Sequence, residues 1–522
     1  MVATMMGFSA LQIATVAYLA LATFPAFAAP DSGRFFKIKV VDDRTGRGVP
    51  LVEVRTVHNV RYYTDSNGIV AFYEPGLMGQ KVFFYVRSHG YEFRKDGFGN
   101  AGVALDVREG GTAMLRIRRI NVAERLYRIT GGGIYRDSVL VGEKVPIRQP
   151  VLNGRVFGQD SAMALPWRGK IYWLWGDTNF PKYPLGLFHM SGATSFPPDR
   201  GGLDPNVGVD LEYFVDAEGF SKKMCPMAGK GVVWIDGVMI VPDRSGQERM
   251  VAHYARMKSL GEMLEHGIVV FDEKKQEFTK HVEFDLADKR RCPRLHPVSI
   301  TEAGRDYFVF SAPDAIVRVR ADLRDIADQS AYEAFTCLPA GSGYDKRTAN
   351  VERDANGQLL YSWKRDTDPI AATQERELIR AGKIKNEEAR YQVRDVDTQK
   401  PVELHYGSVN WNDYRKKWIM IAVQMGGTSS FLGEVWFTEA DNITGPWKWA
   451  RKIVTHDKYT FYNPVHHRFF DQQGGKIIYF EGTYAQTFSG NPEATPWYDY
   501  NQIMYRLDLS DERLRGPLQP GK

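Results

Sequence analysis

From about residue 155 to 510 the chain repeats one design, and that repetition limits its fold more than any other feature. An apolar strand opens, a polar turn follows, and a second apolar strand returns. The openings read FGQDSAMALPW near 158, GKGVVWIDGVMIVP near 230, PRLHPVSITEAGRDYFVFSA near 296, HYGSVNWNDYRKKWIMIAVQ near 405 and FYNPVHHRFFDQQGGKIIYFEGTY near 462. Outer strands follow several of them, as in HGIVVFDEKKQEF, AIVRVRADL and GEVWFTEADNITGPW. Recurring units of up to four strands build a propeller. Five openings predict five blades over residues 151–515. The longest gap, before the fourth opening, contains TQERELIRAGKIKNEEARY, which reads as a charged, solvated helical insertion near 370–395.

Upstream lies a different pattern. FFKIKVVDDRTGRGVPLVEVRTV, YYTDSNGIVAFYEPGL, KVFFYVRSHGYEF and TAMLRIRRINV alternate apolar and polar residues around Gly-rich and Asn-Gly turns. They predict a small β-sandwich over 34–120. Residues 121–150, with Gly131-Gly132-Gly133, read as a linker; no strand–loop–helix context makes that triplet a phosphate loop. The expected fold class is therefore all-β, an N-terminal β-sandwich followed by a five-bladed β-propeller.

Residues 8–27 carry no charge, and Ala26-Phe27-Ala28 fits a small-x-small cleavage site. Residues 1–29 are expected to be a signal peptide, which places the mature chain in an extracellular or periplasmic setting. No other stretch approaches the roughly 20 apolar residues of a spanning helix, so no membrane span is expected after cleavage. The formal net charge is +5, with Lys and Arg spread along the chain; nucleic acid is not an expected partner. Cys225, Cys292 and Cys337 allow at most one internal bridge and show no zinc spacing.

The first opening carries the clearest chemistry. FGQDSAMALPWRGKIYWLWGDTNF reads as a hairpin with Arg168-Gly169 as its two-residue turn. That register places Asp160 opposite Asp177, Ala162 opposite Trp175 and Ala164 opposite Trp173. Opposed residues lie roughly 4.5–5.5 Å apart at Cβ on one face, so the hairpin is expected to hold two carboxylates beside two indoles. Two carboxylates that close repel, and one keeps its proton near neutral pH. This supplies the acid and the base or nucleophile that glycosidic cleavage uses. Trp175 and Trp173 are candidates to stack on sugar faces. Glu434 in FLGEVWFTEA and Glu481 in IIYFEGTY sit on apolar strands, where an unpaired charge is costly; each is a structural pair partner or a third catalytic group. His296, His405 and His466 recur at blade openings, and Asn463 precedes Pro464; all four are candidates to bind sugar hydroxyls. No metal spacing is present, so no metal or other cofactor is expected, and a structural or axial calcium ion has no support in the sequence. Serine-hydrolase elbows, Walker loops and His-Glu-x-x-His are absent.

Two resemblances add to this reading. VVDDRTGRGVPLVEV, TDSNGIVAF and SHGYEF resemble the carboxypeptidase regulatory-like, transthyretin-type domain, which implies an accessory module. The GQDS opening, GSVNWNDYRKKWIMIAVQ and the Gly-Pro-Trp blade ending resemble the five-bladed propeller glycoside hydrolases, which include arabinanases, xylosidases and fructosidases. QDSAMALPWRGKIYWLWGDTNF is similar to the paired-Asp opening of the family that contains bacterial endo-D-arabinanases. That resemblance implies that Asp160 and Asp177 are the catalytic carboxylates. The blade-three Glu of the wider group has no counterpart here, because LHPVSI offers His296. The expected function is a secreted glycoside hydrolase acting on a polysaccharide, of furanoside or arabinan type by resemblance. The alternative is a non-catalytic carbohydrate-binding or surface-scaffold propeller.

Overall fold

The computed structural model describes residues 33–181, 183–187 (backbone only), 189–288, 296–311, 313–514 and 518. The expected signal peptide at 1–29 and Cys292 lie outside the described residues; Cys225 and Cys337 are buried free thiols.

The N-terminal unit is a two-sheet sandwich. One sheet orders the strands Ile69–Phe72, Phe36–Asp42, Thr112–Arg119 and Tyr91–Glu92; the other orders Arg61–Tyr63, Glu53–Thr56, Gln80–Arg87 and Gly102–Val107. Alternation along Phe36–Asp42 buries Phe36, Ile38 and Val40 against Val54, Phe84 and Val86, as period-two side chains require.

Five blades follow, and their inner strands stand in ring order: Met163–Trp167, Val232–Pro242, His296–Glu302, Leu404–Asn412 and Thr460–His466. These are the five predicted openings. Apolar side chains fill the wedges between blades. Ile419, Ile421 and Phe437 of blade four meet Phe461, Phe480 and Tyr505 of blade five. Each such side chain contributes roughly 1.5–3 kcal/mol when fully buried, so the wedges hold the ring.

Two expectations need correction. The stretch 121–150 is not only a linker: Glu124–Arg128 pairs antiparallel with Asn501–Asp508 and forms the outer strand of blade five. The ring is thus closed by a strand from before its first blade. Arg125 and Arg128, which bracket Leu126 and Tyr127, hid this strand, because both are buried, Arg125 by hydrogen bonds to the sandwich and Arg128 over the Tyr498 ring. Arg125 Nε donates to the Pro50 carbonyl at 3.1 Å, tying the sandwich to blade five. Tyr498 adds to that junction, donating to Thr64 O at 2.6 Å and accepting from Leu51 N at 3.1 Å.

The helical insertion is not a solvated excursion either. Its helix, Ala372–Arg380, buries Leu378 with Cys337, Leu338, Ile370 and Ile384. Tyr391–Asp395 then joins blade four as a parallel outer strand beside Trp447–Val454. Among the described residues no helix is long and apolar enough to cross a membrane.

Candidate active site

The first hairpin folds in the predicted register. Arg168 and Gly169 have φ of 48° and 79°, the two positive values a type I′ turn needs. Ala164 pairs with Trp173, and Gln159 pairs with Thr178. Asp160 and Asp177 fall opposite each other: Asp160 N–H donates to Asp177 O at 3.3 Å, and Gly176 N–H donates to Asp160 O at 2.7 Å.

Between those two paired stretches the ladder is interrupted. Ser161 has φ of 54°, a left-handed value that costs a non-glycine residue energy and persists only where neighbours fix it. Blade five does so. Thr483 Oγ1 accepts from Ser161 N–H at 3.0 Å, and Asn463 Nδ2 donates to Ser161 Oγ at 2.6 Å. The break separates the Asp160 end of the hairpin from the blade sheet.

That separation corrects the expectation for the tryptophans. Trp173 and Trp175 are both 0% exposed, and neither lines the cavity that the carboxylates reach. Trp173 Nε1 donates to Ser195 Oγ at 2.8 Å, and its ring packs edge-on to His467. Trp175 stacks on Trp173 and tilts against Tyr213. Both are core residues, because the switch at Ser161 sends the carboxylates to the axis and leaves the indoles inside the blade.

The carboxylates do reach a cavity. It has a volume of about 480 Å³ and lies where the inner strands converge, within the size range of small-ligand sites. Every blade contributes: Asp160 and Asp177 from blade one, Trp234 and Asp236 from blade two, His296 from blade three, His405 and Tyr406 from blade four, and Tyr462 and Asn463 from blade five. Phe431 and Phe488 stand exposed along it.

Asp160 is held by blade five. Tyr462 OH donates to Asp160 Oδ2 at 2.9 Å, and Tyr500 interacts with the same carboxyl. Burial and the neighbouring Asp177 charge push Asp160 up to about 7, against the opposing pull of both tyrosine hydroxyls. Burial also raises Asp177, and Trp234 Nε1, which donates to Asp177 Oδ1 at 2.8 Å, opposes that shift. Near neutral pH the pair therefore shares a proton, the condition under which one carboxyl acts as acid and the other as base.

His296 is lowered to about 3, first by burial and then by the nearby His467, and burial also lowers His405. Both imidazoles are neutral at pH 7 and able to bond hydroxyl groups. Asn463 lines the cavity while steadying Ser161.

Glu434, Glu481 and His466 do not reach the cavity. Glu434 is buried between Thr455 Oγ1 at 2.8 Å and Lys452 Nζ at 2.8 Å. Glu481 pairs with His467 Nε2 at 2.6 Å inside blade five. His466 lies between Asn410 and Asp471. Each charge on an apolar strand has a structural partner, which is the cheaper solution for a buried carboxylate.

Sequence reasoning missed Trp234, Asp236, Tyr462 and Tyr500. Asp236 gives the cavity a third carboxylate. WID in the second opening places Trp234 and Asp236 two apart on an inner strand, which was a usable signal. Tyr500 had none, since it arrives on a loop.

Two predictions arise here. A Cβ at Gly176 would overlap Asp160 Oδ1, so Gly176→Ala is expected to displace that carboxyl. A shift of about 1 Å costs on the order of 10²-fold in rate. Unchanged turnover in a correctly folded Ala variant would show that the position of Asp160 is immaterial. The second concerns pH. A carboxyl raised in the folded state binds its proton more tightly there than in the unfolded chain. Its contribution to stability is then largest in acid and declines as pH rises from about 4 to about 7. The difference in melting temperature between wild type and Asp160→Asn should shift in that window and level off above it; a flat difference would contradict the raised value.

No protein-family model matches the chain, and no curated protein does. Several solved structures are similar at low identity. An exo-β-1,3-galactanase from Phanerochaete chrysosporium is 11% identical with a TM-score of 0.36, covering 76% of this chain and 66% of its own. An endo-1,5-α-L-arabinanase from Thermotoga petrophila is 10% identical with a TM-score of 0.32, over 69% of this chain and 73% of its own. A Xanthomonas citri enzyme solved with xylose is 9% identical with a TM-score of 0.32, over 71% and 93%. The chain spans about two thirds of the galactanase's length.

Proposed function

We propose that the chain is a glycoside hydrolase that cleaves a polysaccharide in the axial cavity. One observation carries this reading: Asp160 and Asp177 oppose each other across the first hairpin and line the same cavity. Asp160 keeps its proton to about pH 7 and serves as the acid. Asp177, steadied by the Trp234 indole N–H, serves as base or nucleophile. In that scheme the proton goes to the leaving oxygen, and Asp177 activates water or attacks the anomeric carbon. His296, His405 and Asn463 meet hydroxyl groups, and Tyr406, Phe431 and Phe488 offer the aromatic faces first expected of the tryptophans. A furanoside or arabinan substrate rests on the resemblance of the opening hairpin.

The N-terminal sandwich reads as the carboxypeptidase regulatory-like type, supported by its two four-stranded sheets. A secreted chain with residues 1–29 removed fits the uncharged run at 8–27. The test is product analysis on a panel of arabinan, xylan and galactan, with Asp160→Asn and Asp177→Asn as controls. A non-catalytic carbohydrate-binding propeller is the second reading. It is favoured by the places of Glu434 and Glu481, which leave Asp236 as the only further carboxylate lining the cavity among the described residues. Binding without product from any glycan would establish it.

A further inference from the structure

A second cavity, of about 550 Å³, lies between the sandwich and blade five. Arg55, Tyr63 and Tyr85 line it from the sandwich, and Asn491 and Thr495 from blade five. It shares Arg61 and Tyr63 with a neighbouring cavity of about 360 Å³ that ends at Trp497. The two adjoin at these side chains along the domain junction and are taken together as the junction groove.

The walls of this groove are set for a flat, uncharged, hydroxyl-rich ligand. The Arg55 guanidinium lies 4.5 Å over the Tyr85 ring, and that of Arg136 lies 4.6 Å over Trp497. Stacked guanidinium and aromatic planes present fixed faces and in-plane donors. The arginines already carry carboxylate partners. Arg55 pairs with Glu53, Arg61 with Glu493, Arg87 with Asp457 and Arg136 with Asp137. An anion would have to displace these; a neutral sugar would not.

One loop joins the groove to the axial cavity. Residues 486–500 put Phe488 at the axial cavity and Tyr500 against Asp160, while Asn491, Thr495 and Trp497 face the groove. Phe488, Trp497 and Tyr500 have φ of 65°, 66° and 60°, a conformation bulky side chains disfavour. Phe488 and Trp497 are nevertheless 58% and 46% exposed, so burial of their rings does not account for the strain.

We infer that the junction groove is a second binding site for a neutral glycan chain, continuous over this loop with the axial cavity. The same polysaccharide is held at both places. This rests on the proposed hydrolase reading for the identity of the chain, but its binding is measurable without turnover.

The experiment uses full-length protein and the same arabinan, xylan and galactan panel. Retardation in polysaccharide-containing native gels is measured for Asp160→Asn, alone and combined with Trp497→Gly or with Arg55→Ala/Tyr85→Ala. Trp497→Gly sits where the backbone already suits glycine. The double variant lies on the opposite wall and leaves the loop intact. Melting temperatures of the same samples report folding. Kd for one polysaccharide is expected to weaken about tenfold or more in both groove variants, a change of about one decade in affinity. In the active background, kcat/KM on that polymer should fall similarly, and on its trisaccharide by less than about twofold. Equal retardation of all forms, or retardation of none, overturns the inference. Retardation lost in the groove variants, with no product from wild type, removes the hydrolase reading and leaves the groove standing.

Discussion

Asp160→Asn and Asp177→Asn should each lower kcat/KM on the cleaved polysaccharide by about 10²–10⁴-fold, the range a positioned acid or base supplies. Both changes keep shape. An amide oxygen at 160 still accepts from Tyr462, and one at 177 still accepts from Trp234. What disappears is the proton at one position and the charge at the other. The variants also differ in a useful way. Wild-type activity should fall as pH rises through about 7, where Asp160 loses its proton. In Asp177→Asn the repelling charge is gone, so the residual activity should begin to fall at lower pH. Full activity in both variants would remove the carboxylate mechanism.

Glu375→Ala is expected to be the most damaging single change to stability, by about 3–5 kcal/mol, the cost of leaving a buried charge unpaired. Glu375 is 0% exposed and accepts from Arg390 Nε at 3.1 Å, from the Arg390 and Tyr391 backbone N–H groups, and from Tyr361 OH. Arg390 is itself buried, stacked 4.2 Å over Tyr361 and 4.8 Å over Phe335. Alanine at 375 would leave that guanidinium between two rings without its carboxylate, with the Ile370 carbonyl still accepting from Nη2. Denaturant melts measure the loss, and a second change, Arg390→Met, should recover part of it by removing the stranded charge. A loss below about 1 kcal/mol would mean that water or another carboxylate reaches Arg390.

The same residues show what was legible in the sequence. Blade number and hairpin register were, because period-two patterning and an Arg-Gly turn act locally. The fate of Trp173 and Trp175 was not. It depends on Ser161, whose left-handed backbone is held by Thr483 and Asn463, about 300 residues away. Glu434 and Glu481 look alike in sequence to catalytic carboxylates on apolar strands; only the positions of Lys452 and His467 tell them apart. Glu375 was hidden for the converse reason, since a charge-rich stretch reads as surface until its partner is seen.

The strand Glu124–Arg128 has a consequence for how the molecule comes into being. Its hydrogen-bonding partner, Asn501–Asp508, leaves the ribosome nearly 400 residues later. Pairing that spans nearly 400 residues is slow to find and late to form. Until then blades one to four would stand as an open arc, with an apolar sheet face uncovered at either end. The Asp160 end of the first hairpin waits as well, because Tyr462, Thr483 and Tyr500 all belong to the final blade. The setting of the two carboxylates and ring closure would therefore arrive together, and a chain stopped before the final blade would carry Asp160 and Asp177 without the contacts that place them.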